Sequence, residues 1–185
     1  SIIGTNPFPR GLRRQETINE LITAVINLSS KRHGALIVLE QVIGMRAIAN
    51  NAVTIDAKLT HHLLETLFYP NTPLHDGGVI IKDGRVTVAH CIFPLSTNDE
   101  LVRNLGTRHR AAIGVTEETD ALVVVVSEET GGISIAYKGN LKRNIRPDRL
   151  RRFLNTLLGD ERGRSFKELV AEISGEKDEL GGFST

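Results

Sequence analysis

The stretch "VIIKDGRVTVAHCIF", from Val79 to Phe93, decides the fold. Two arms rich in β-branched residues flank Asp83-Gly84, the pair that a tight type I′ turn prefers. The stretch therefore predicts a β-hairpin, which places antiparallel neighbours in a sheet. Because helical patterns stand on both sides of it, the hairpin indicates a mixed sheet within an α/β domain.

Upstream of the hairpin the sequence predicts two helices and a strand. Apolar residues at helical spacing indicate a first helix over 13–33, and the run "ALIVLE" at 35–40 indicates a buried strand. A second helix is expected to be capped by Thr54 or Asp56 and to end near Phe68, just before a proline.

Downstream of the hairpin, the branched run "ALVVVVS" at 121–127 is typical of a central strand buried on both faces. A second hairpin is expected over 132–144, with its turn at Lys138-Gly139-Asn140. Pro147 suits the first turn of a following helix, and a last helix is expected over 165–173.

The elements predict one α/β domain, with a central mixed β-sheet flanked by helices. This domain is expected to cover 13–160. Residues 1–12 are interpreted as a lead-in segment without a clear period. Residues 161–185 are interpreted as a C-terminal helix followed by a flexible tail, because the tail is polar and contains glycine.

Composition bounds the class of protein. The 185 residues are 40% hydrophobic and 24% charged with a net charge of +1, so a nucleic-acid binder that relies on a basic excess is not favoured. Cys91 is the only cysteine, which excludes an intramolecular disulfide. The chain starts at Ser1 and its only methionine is Met45, so we expect a processed or shortened protein whose membrane anchor, if present, lies upstream.

The stretch "LGTRHRAAIG" at 105–114 is the first candidate for chemistry. It contains three consecutive basic or titratable residues, Arg108, His109 and Arg110. Thr107 suits an N-cap, and the start of a helix attracts anions while arginine matches phosphate with paired donors. The alternative is a solvated helix start whose charges pair with neighbours such as Glu117 or Glu118, and the residues alone leave both interpretations open.

Two further stretches carry acidic residues beside paired glycines. In "LHDGGVII" at 74–81, His75 and Asp76 precede a predicted strand, and these residue types suit a divalent metal. In "VVVVSEETGG" at 123–132, Ser127, Glu128 and Glu129 follow the central strand, where ligands of open α/β sheets bind. Each stretch taken alone is better explained as a polar turn, but the three together are what a nucleoside triphosphate site with a divalent metal needs.

On these residues the chain resembles the bacterial and archaeal diadenylate cyclases. The hallmarks of that family are an Asp-Gly-Ala turn and a Gly-Thr-Arg-His-Arg stretch, matched here by Asp76-Gly77-Gly78 and by 106–110. "SEETGGIS" at 127–134 follows at the expected separation. The resemblance covers 13–158, implies the DAC fold, and is closest to the membrane-associated, CdaA-like subtype, in which transmembrane helices precede the cyclase domain.

The resemblance implies an enzyme that condenses two ATP into cyclic di-AMP and releases two diphosphates. It implies Mg²⁺ or Mn²⁺ as the cofactor, with Co²⁺ as a further option. Two protomers face each other, and the 3′-hydroxyl of one nucleotide attacks the α-phosphate of the other. We therefore expect a homodimer, no nucleic-acid ligand, a regulatory protein partner, and a cytoplasmic catalytic domain tethered to the membrane by a segment upstream of Ser1.

The resemblance also assigns roles to single residues. The implied catalytic residues are Asp76, Arg108, His109 and Arg110. The implied nucleotide contacts are Gly77, Gly78, Ile92, Phe93, Gly106, Thr107, Arg108, Ser127 and Glu129. The implied metal ligands are His75, Asp76 and Glu129, with Glu128 a weaker choice than Glu129.

Two positions depart from the family pattern. The alanine of the family is Gly78 here, and the position where an aromatic residue stacks on adenine falls at Ile92, beside Phe93. These departures keep open a second hypothesis, a nucleotide-binding regulatory module without turnover. A third hypothesis, nucleic-acid binding through the basic residues of 142–152, competes with a solvated helix face.

Overall fold

A seven-stranded sheet forms the centre of the computed structural model, which describes residues 10–158 together with Glu168 and Ala171. Its strands are β1 (Ala35–Leu39), β2 (Val53–Lys58), β3 (Gly78–Lys82), β4 (Arg85–Cys91), β5 (Leu122–Val126), β6 (Ile133–Tyr137) and β7 (Asn140–Lys142). The helices are α1 (Arg10–Lys31), α2 (His61–Leu67), α3 (Asp99–Val102), α4 (Thr107–Glu118) and α5 (Pro147–Leu158).

The sheet is mixed, and its strands lie in the order β2-β4-β3-β1-β5-β6-β7. β1 pairs with β3 in parallel, with Ile37 opposite Val79, and every other neighbouring pair is antiparallel. Helices cover both faces, so the predicted α/β fold with a central mixed sheet is confirmed.

The two central strands are buried on both faces, as the branched runs predict. Along β1, Ala35, Ile37 and Leu39 join a core cluster that includes residues of α1, α2 and α5. Leu36 and Val38 point to the opposite face and join a second cluster that includes residues of α4. The alternation of side chains along a strand therefore produces three layers from one apolar run.

Both predicted hairpins form, and their turns have the backbone that type I′ requires. Asp83 and Gly84 have φ of 50° and 73°, and Lys138 and Gly139 have φ of 48° and 77°. Positive φ at both central residues matches the twist of the flanking strands. The first hairpin brings the end of β4 beside the loop before β3, which positions one wall of the site.

The predicted start of the second helix is wrong. Residues 53–58 form the edge strand β2, which pairs with β4, and the helix begins only at His61. Thr60 caps it, because its hydroxyl accepts a hydrogen bond from the backbone N–H of Leu63 at 3.1 Å. The strand carries a register shift between Thr54 and Ala57, and the φ of Asp56 is 49°. Its sequence alternates apolar and polar residues as a strand does, so the prediction of a helix cap at Thr54 or Asp56 overlooked this period-2 pattern.

Smaller differences concern the element ends. Helix α1 begins at Arg10 and takes in the last residues of the predicted lead-in segment. The residue in the N-cap position of α4 is Gly106, and Thr107 is the first helical residue. The predicted helix over 165–173 and the tail lie outside the described residues, except for Glu168 and Ala171, which are helical.

In the part of the chain that the structure describes, no helix combines the length and the apolar character needed to cross a bilayer.

Candidate active site

A cavity of about 550 Å³ opens where the start of β3, the end of β4, the start of α4 and the end of β5 meet. It brings together most of the residues that the sequence singled out. These are His75, Asp76, Gly77, Ile92, Phe93, Gly106, Thr107, Arg108, His109, Ser127 and Glu129. Three stretches that are far apart in sequence therefore form one site.

Gly78 and Arg110 are the two predicted site residues that do not line the cavity. Gly78 is buried against Phe93 and Leu36, which do line the cavity. Arg110 is half-buried, and its Nε is one of two buried side-chain atoms within 10–158 that have no hydrogen-bond partner. The roles assigned to these two residues stay predictions.

The turn that carries Asp76 is held by contacts with β4. Gly77 has a φ of 77°, and a Cβ at this position would lie 2.3 Å from the carbonyl oxygen of Cys91. Only glycine allows such a close approach of two backbones. His90 adds a second contact, because its Nδ1 lies 3.0 Å from the carbonyl oxygen of Asp76. The backbone of Asp76 is thus fixed while its carboxylate, with 69% of the side chain exposed, faces the solvent.

The geometry of His75 prepares a cation site beside Asp76. Its Nδ1 lies 2.6 Å from the carbonyl oxygen of Thr72, so Nδ1 carries the proton and donates it. In the neutral ring the lone pair is then on Nε2, which lies 3.3 Å from Oδ1 of Asp76. Two acceptors at this distance repel each other unless a proton or a metal ion lies between them. A histidine that donates its other N–H to a carbonyl is the usual arrangement of a metal ligand.

A third metal ligand is less well supported by the geometry. Within the described residues, no three side chains of His, Cys, Asp or Glu form a group that could hold a metal ion. Glu129 lines the cavity but is not part of a group with His75 and Asp76. Its role as a metal ligand stays a prediction.

The first arginine of α4 is poised at the cavity. Nη1 of Arg108 donates a hydrogen bond to Oε2 of Glu128 at 3.2 Å, rather than to Glu117 or Glu118. Its Nε is buried and has no hydrogen-bond partner among the described residues. The side chain as a whole is 20% exposed, so its guanidinium can present other N–H groups to an anion such as phosphate.

His109 is buried at the start of α4, and 7% of the residue is exposed. Burial lowers the pKa of its imidazole, and the nearby cations of Arg143 and Arg108 lower it further, against a smaller opposing effect of Glu129. These effects favour the neutral ring at pH 7. The supporting role expected for His109 stays a prediction.

The turn after β5 is built around Ser127. Its hydroxyl accepts hydrogen bonds from the backbone N–H groups of Glu129 and Thr130, at 3.2 and 3.3 Å. The hydroxyl proton stays available to the cavity, which Ser127 lines. The carboxylate of Glu128 is engaged by Arg108, which leaves Glu129 as the more available carboxylate of the pair.

The family described as DisA bacterial checkpoint controller nucleotide-binding, or DAC, matches residues 22–141. The chain belongs to the DAC family.

Relatives of this DAC chain carry consistent names. It is 42% identical to the cyclic di-AMP synthase CdaA of Bacillus subtilis over 141 aligned residues. The aligned region covers 76% of this chain and 52% of the relative. It is 48% identical to the diadenylate cyclase CdaS of Bacillus thuringiensis over 126 aligned residues. Here the aligned region covers 68% of this chain and 63% of the relative. The chain thus spans between half and two thirds of the length of these curated relatives.

A solved structure shares the DAC fold. The crystal structure of a double mutant of DacA from Staphylococcus aureus matches with a TM-score of 0.73 and 38% identity, covering 76% of this chain and 94% of that chain. The agreement extends the family assignment from sequence to the three-dimensional arrangement.

Sequence reasoning missed two residues of this DAC site. Arg143, which follows β7, lines the cavity and lowers the pKa of His109, although its neighbourhood reads as a solvated basic cluster. Gly34, just before β1, leaves the space for Arg108: a Cβ there would lie 2.5 Å from Nη1. Nothing in the local sequence of either residue points to α4, because both contacts depend on the sheet order.

Proposed function

We propose that this chain is the catalytic domain of a diadenylate cyclase, which condenses two ATP into cyclic di-AMP and releases two diphosphates. One observation carries the proposal: a single cavity holds the His75–Asp76 pair together with Arg108 at the start of a helix. A carboxylate that takes a proton and cations that neutralise phosphate are what phosphoryl chemistry needs. The names of the curated relatives, cyclic di-AMP synthase and diadenylate cyclase, support the same activity.

In the proposed reaction the 3′-oxygen of one ATP forms a bond to the α-phosphorus of the other. The bond from that phosphorus to the oxygen that bridges the β-phosphate breaks, and diphosphate leaves. The carboxylate of Asp76 takes the proton of the 3′-hydroxyl, because its backbone is fixed and its oxygens face the solvent. In a second, equivalent step the 3′-oxygen of the other nucleotide forms a bond to the α-phosphorus of the first. The second diphosphate leaves, and the ring is closed.

The remaining residues of the site bind and orient the nucleotide. The side chain of Arg108, which is 20% exposed and lines the cavity, is proposed to bind a phosphate oxygen through its guanidinium, and Arg143 adds a second positive charge. The hydroxyls of Ser127 and Thr107 donate to the same group, and Arg110 is proposed to add a further phosphate contact. Alignment of two bound substrates supplies much of the acceleration in such reactions.

His75 and Asp76 fit a divalent metal ion, since their facing acceptor atoms need a cation between them. The metal would lower the pKa of the 3′-hydroxyl and offset the charge of the phosphates. Two protein ligands suffice when phosphate oxygens supply others. A ring nitrogen among the ligands favours Mn²⁺ or Co²⁺ over Mg²⁺, and Glu129 is proposed to assist from the turn after β5.

The reaction needs a second copy of the chain. One protomer supplies one nucleotide site, and the carboxylate of Asp76 and the side chain of Ile92, 41% exposed, both face outward. We propose that two protomers meet face to face as a homodimer, so that each 3′-hydroxyl reaches the α-phosphate held opposite. As in the membrane-associated subtype, we also propose a cytoplasmic domain tethered by an upstream segment, with a regulatory protein partner and no nucleic-acid ligand.

Product analysis tests the proposal. The purified chain is incubated with ATP and Mn²⁺, Co²⁺ or Mg²⁺ at several protein concentrations. We expect cyclic di-AMP, with a specific rate that rises with protein concentration. Asp76→Asn should abolish the product, whereas the matched control Asp99→Asn, at an exposed residue of α3 that does not line the cavity, should not.

Two outcomes contradict the proposal. Full activity of Asp76→Asn removes the role of this carboxylate. ATP that binds but stays intact with every metal and at every protein concentration rejects the cyclase, and favours the regulatory binding module that the Gly78 and Ile92 departures suggested.

A further inference from the structure

Gly78 does not itself line the cavity, but it lies against two residues that do, and there is no room for a side chain on it. A Cβ on Gly78 would lie 2.8 Å from Cε2 of Phe93 and 3.1 Å from both Cγ and Cδ2 of Leu36. Carbon atoms pack at 3.5 Å or more, so an added methyl group would displace one of them. Gly78 is not among the glycines with positive φ, so space alone, and not backbone conformation, excludes a side chain here.

The residues that a methyl group would displace belong to the cavity. Leu36 and Phe93 line it, and with Cys91 and Ala111 they form its apolar wall, which is continuous with the buried cluster under α4. Phe93 is 5% exposed, so its ring is held by packing, and the part that is accessible faces the cavity. A flat apolar wall beside charged phosphate-binding groups suits a nucleobase.

We propose that Gly78 and Phe93 act as one steric unit that shapes the base-binding wall. The missing methyl group at Gly78 allows the Phe93 ring to lie in this wall, and the ring contacts the base. This inference rests on the proposed function only in taking a purine nucleotide as the ligand.

Phe93 could instead serve only the core, and binding measurements separate the two roles. The protein is titrated with α,β-methylene-ATP and α,β-methylene-GTP, in which the bond that the reaction would cleave is replaced, so that no turnover is needed. Four variants are compared: Gly78→Ala, Phe93→Leu, the double variant, and Gly44→Ala. Gly44 is the matched control, because a Cβ there meets nothing within 4 Å.

We expect Gly78→Ala and Phe93→Leu each to weaken binding of the ATP analogue about ten-fold, the effect of one lost base–aromatic contact. The double variant should bind like Phe93→Leu alone, because the added methyl group is harmless once the ring is gone. Selectivity over the GTP analogue should fall in the same variants. Gly44→Ala should bind like the wild type.

The inference is overturned if Gly78→Ala binds as tightly as the wild type, or if the losses of the two single variants multiply in the double variant. It is also overturned if the single variants lose only thermal stability. A wild-type chain that binds the analogue but makes no product rejects the cyclase and leaves this inference intact. A wild-type chain that binds neither analogue rejects both.

Discussion

Gly34→Ala is the sharpest test of how the fold positions the phosphate-binding arginine. Gly34 is buried just before β1, and its φ is not positive, so its backbone accepts an alanine. The new methyl carbon would lie 2.5 Å from Nη1 and 2.8 Å from Cζ of Arg108, and 3.2 Å from Cβ of Glu128. The closest atoms are the far end of a flexible side chain, so the guanidinium moves and the sheet does not.

The size of the effect follows from these distances. Restoring a contact of about 3.5 Å requires the guanidinium to shift by about 1 Å. A shift of this size breaks one charge-assisted hydrogen bond to phosphate, which is worth about 1.5 to 3 kcal/mol. Nucleotide binding should therefore weaken by about 10- to 100-fold, whereas the free energy of unfolding should change by less than about 1 kcal/mol.

The assay is calorimetric titration of α,β-methylene-ATP into the wild type, Gly34→Ala and the control Gly44→Ala, with thermal unfolding measured on the same samples. Arg108→Ala gives the upper limit of the expected loss. Wild-type affinity in Gly34→Ala would refute the reasoning, as would a loss of affinity that merely follows a loss of folded protein.

Two other predictions concern the packing around the site. A Cβ on Gly114 would lie 2.2 Å from the carbonyl oxygen of Pro94. Gly114→Ala should therefore destabilise the fold by about 2 kcal/mol and lower the thermal midpoint by about 4 to 8 °C. An unchanged midpoint in scanning calorimetry would contradict this prediction. Burial raises the pKa of the Cys91 thiol from 9.0 to about 11. As the pH rises, the unfolded chain therefore loses this proton before the folded chain does. The free energy of unfolding should fall between pH 9 and 11, by at most about 3 kcal/mol. Cys91→Ala should remove that part of the pH dependence in denaturant titrations, and an identical slope in the variant would contradict the assignment.

Several features were predictable because they depend on a few neighbouring residues. The pair Asp83-Gly84 specifies a turn whose φ values are both positive, and the pattern alone predicted its type. The run of valines in β5 specifies a strand buried on both faces. Most of the predicted site residues that follow Leu74 and Leu105, though not Gly78 or Arg110, also meet in one cavity, where the start of β3 and the end of β5 lie beside the start of α4.

Other features were not predictable because they depend on pairing across the sheet. The alternation of apolar and polar residues in β2 does mark a strand, but its place at the exposed edge beside β4, with a register shift between Thr54 and Ala57, depends on pairing with a distant segment. Arg143 reads as one more residue of a basic cluster, yet the antiparallel return of β7 beside β6 carries it to the cavity.

Local backbone preferences and the identities of the side chains were enough to predict most of the elements, the hairpin turns and the chemical character of the site, but not the strand β2 or the short helix α3. Only the tertiary structure decided which residues limit the space of others. It placed Gly34 under Arg108 and Gly78 behind Phe93, across strands that are distant in the chain. The physical reason is that steric exclusion acts over a few ångströms in space, and a glycine gives no sign in the sequence of what occupies the space beside it.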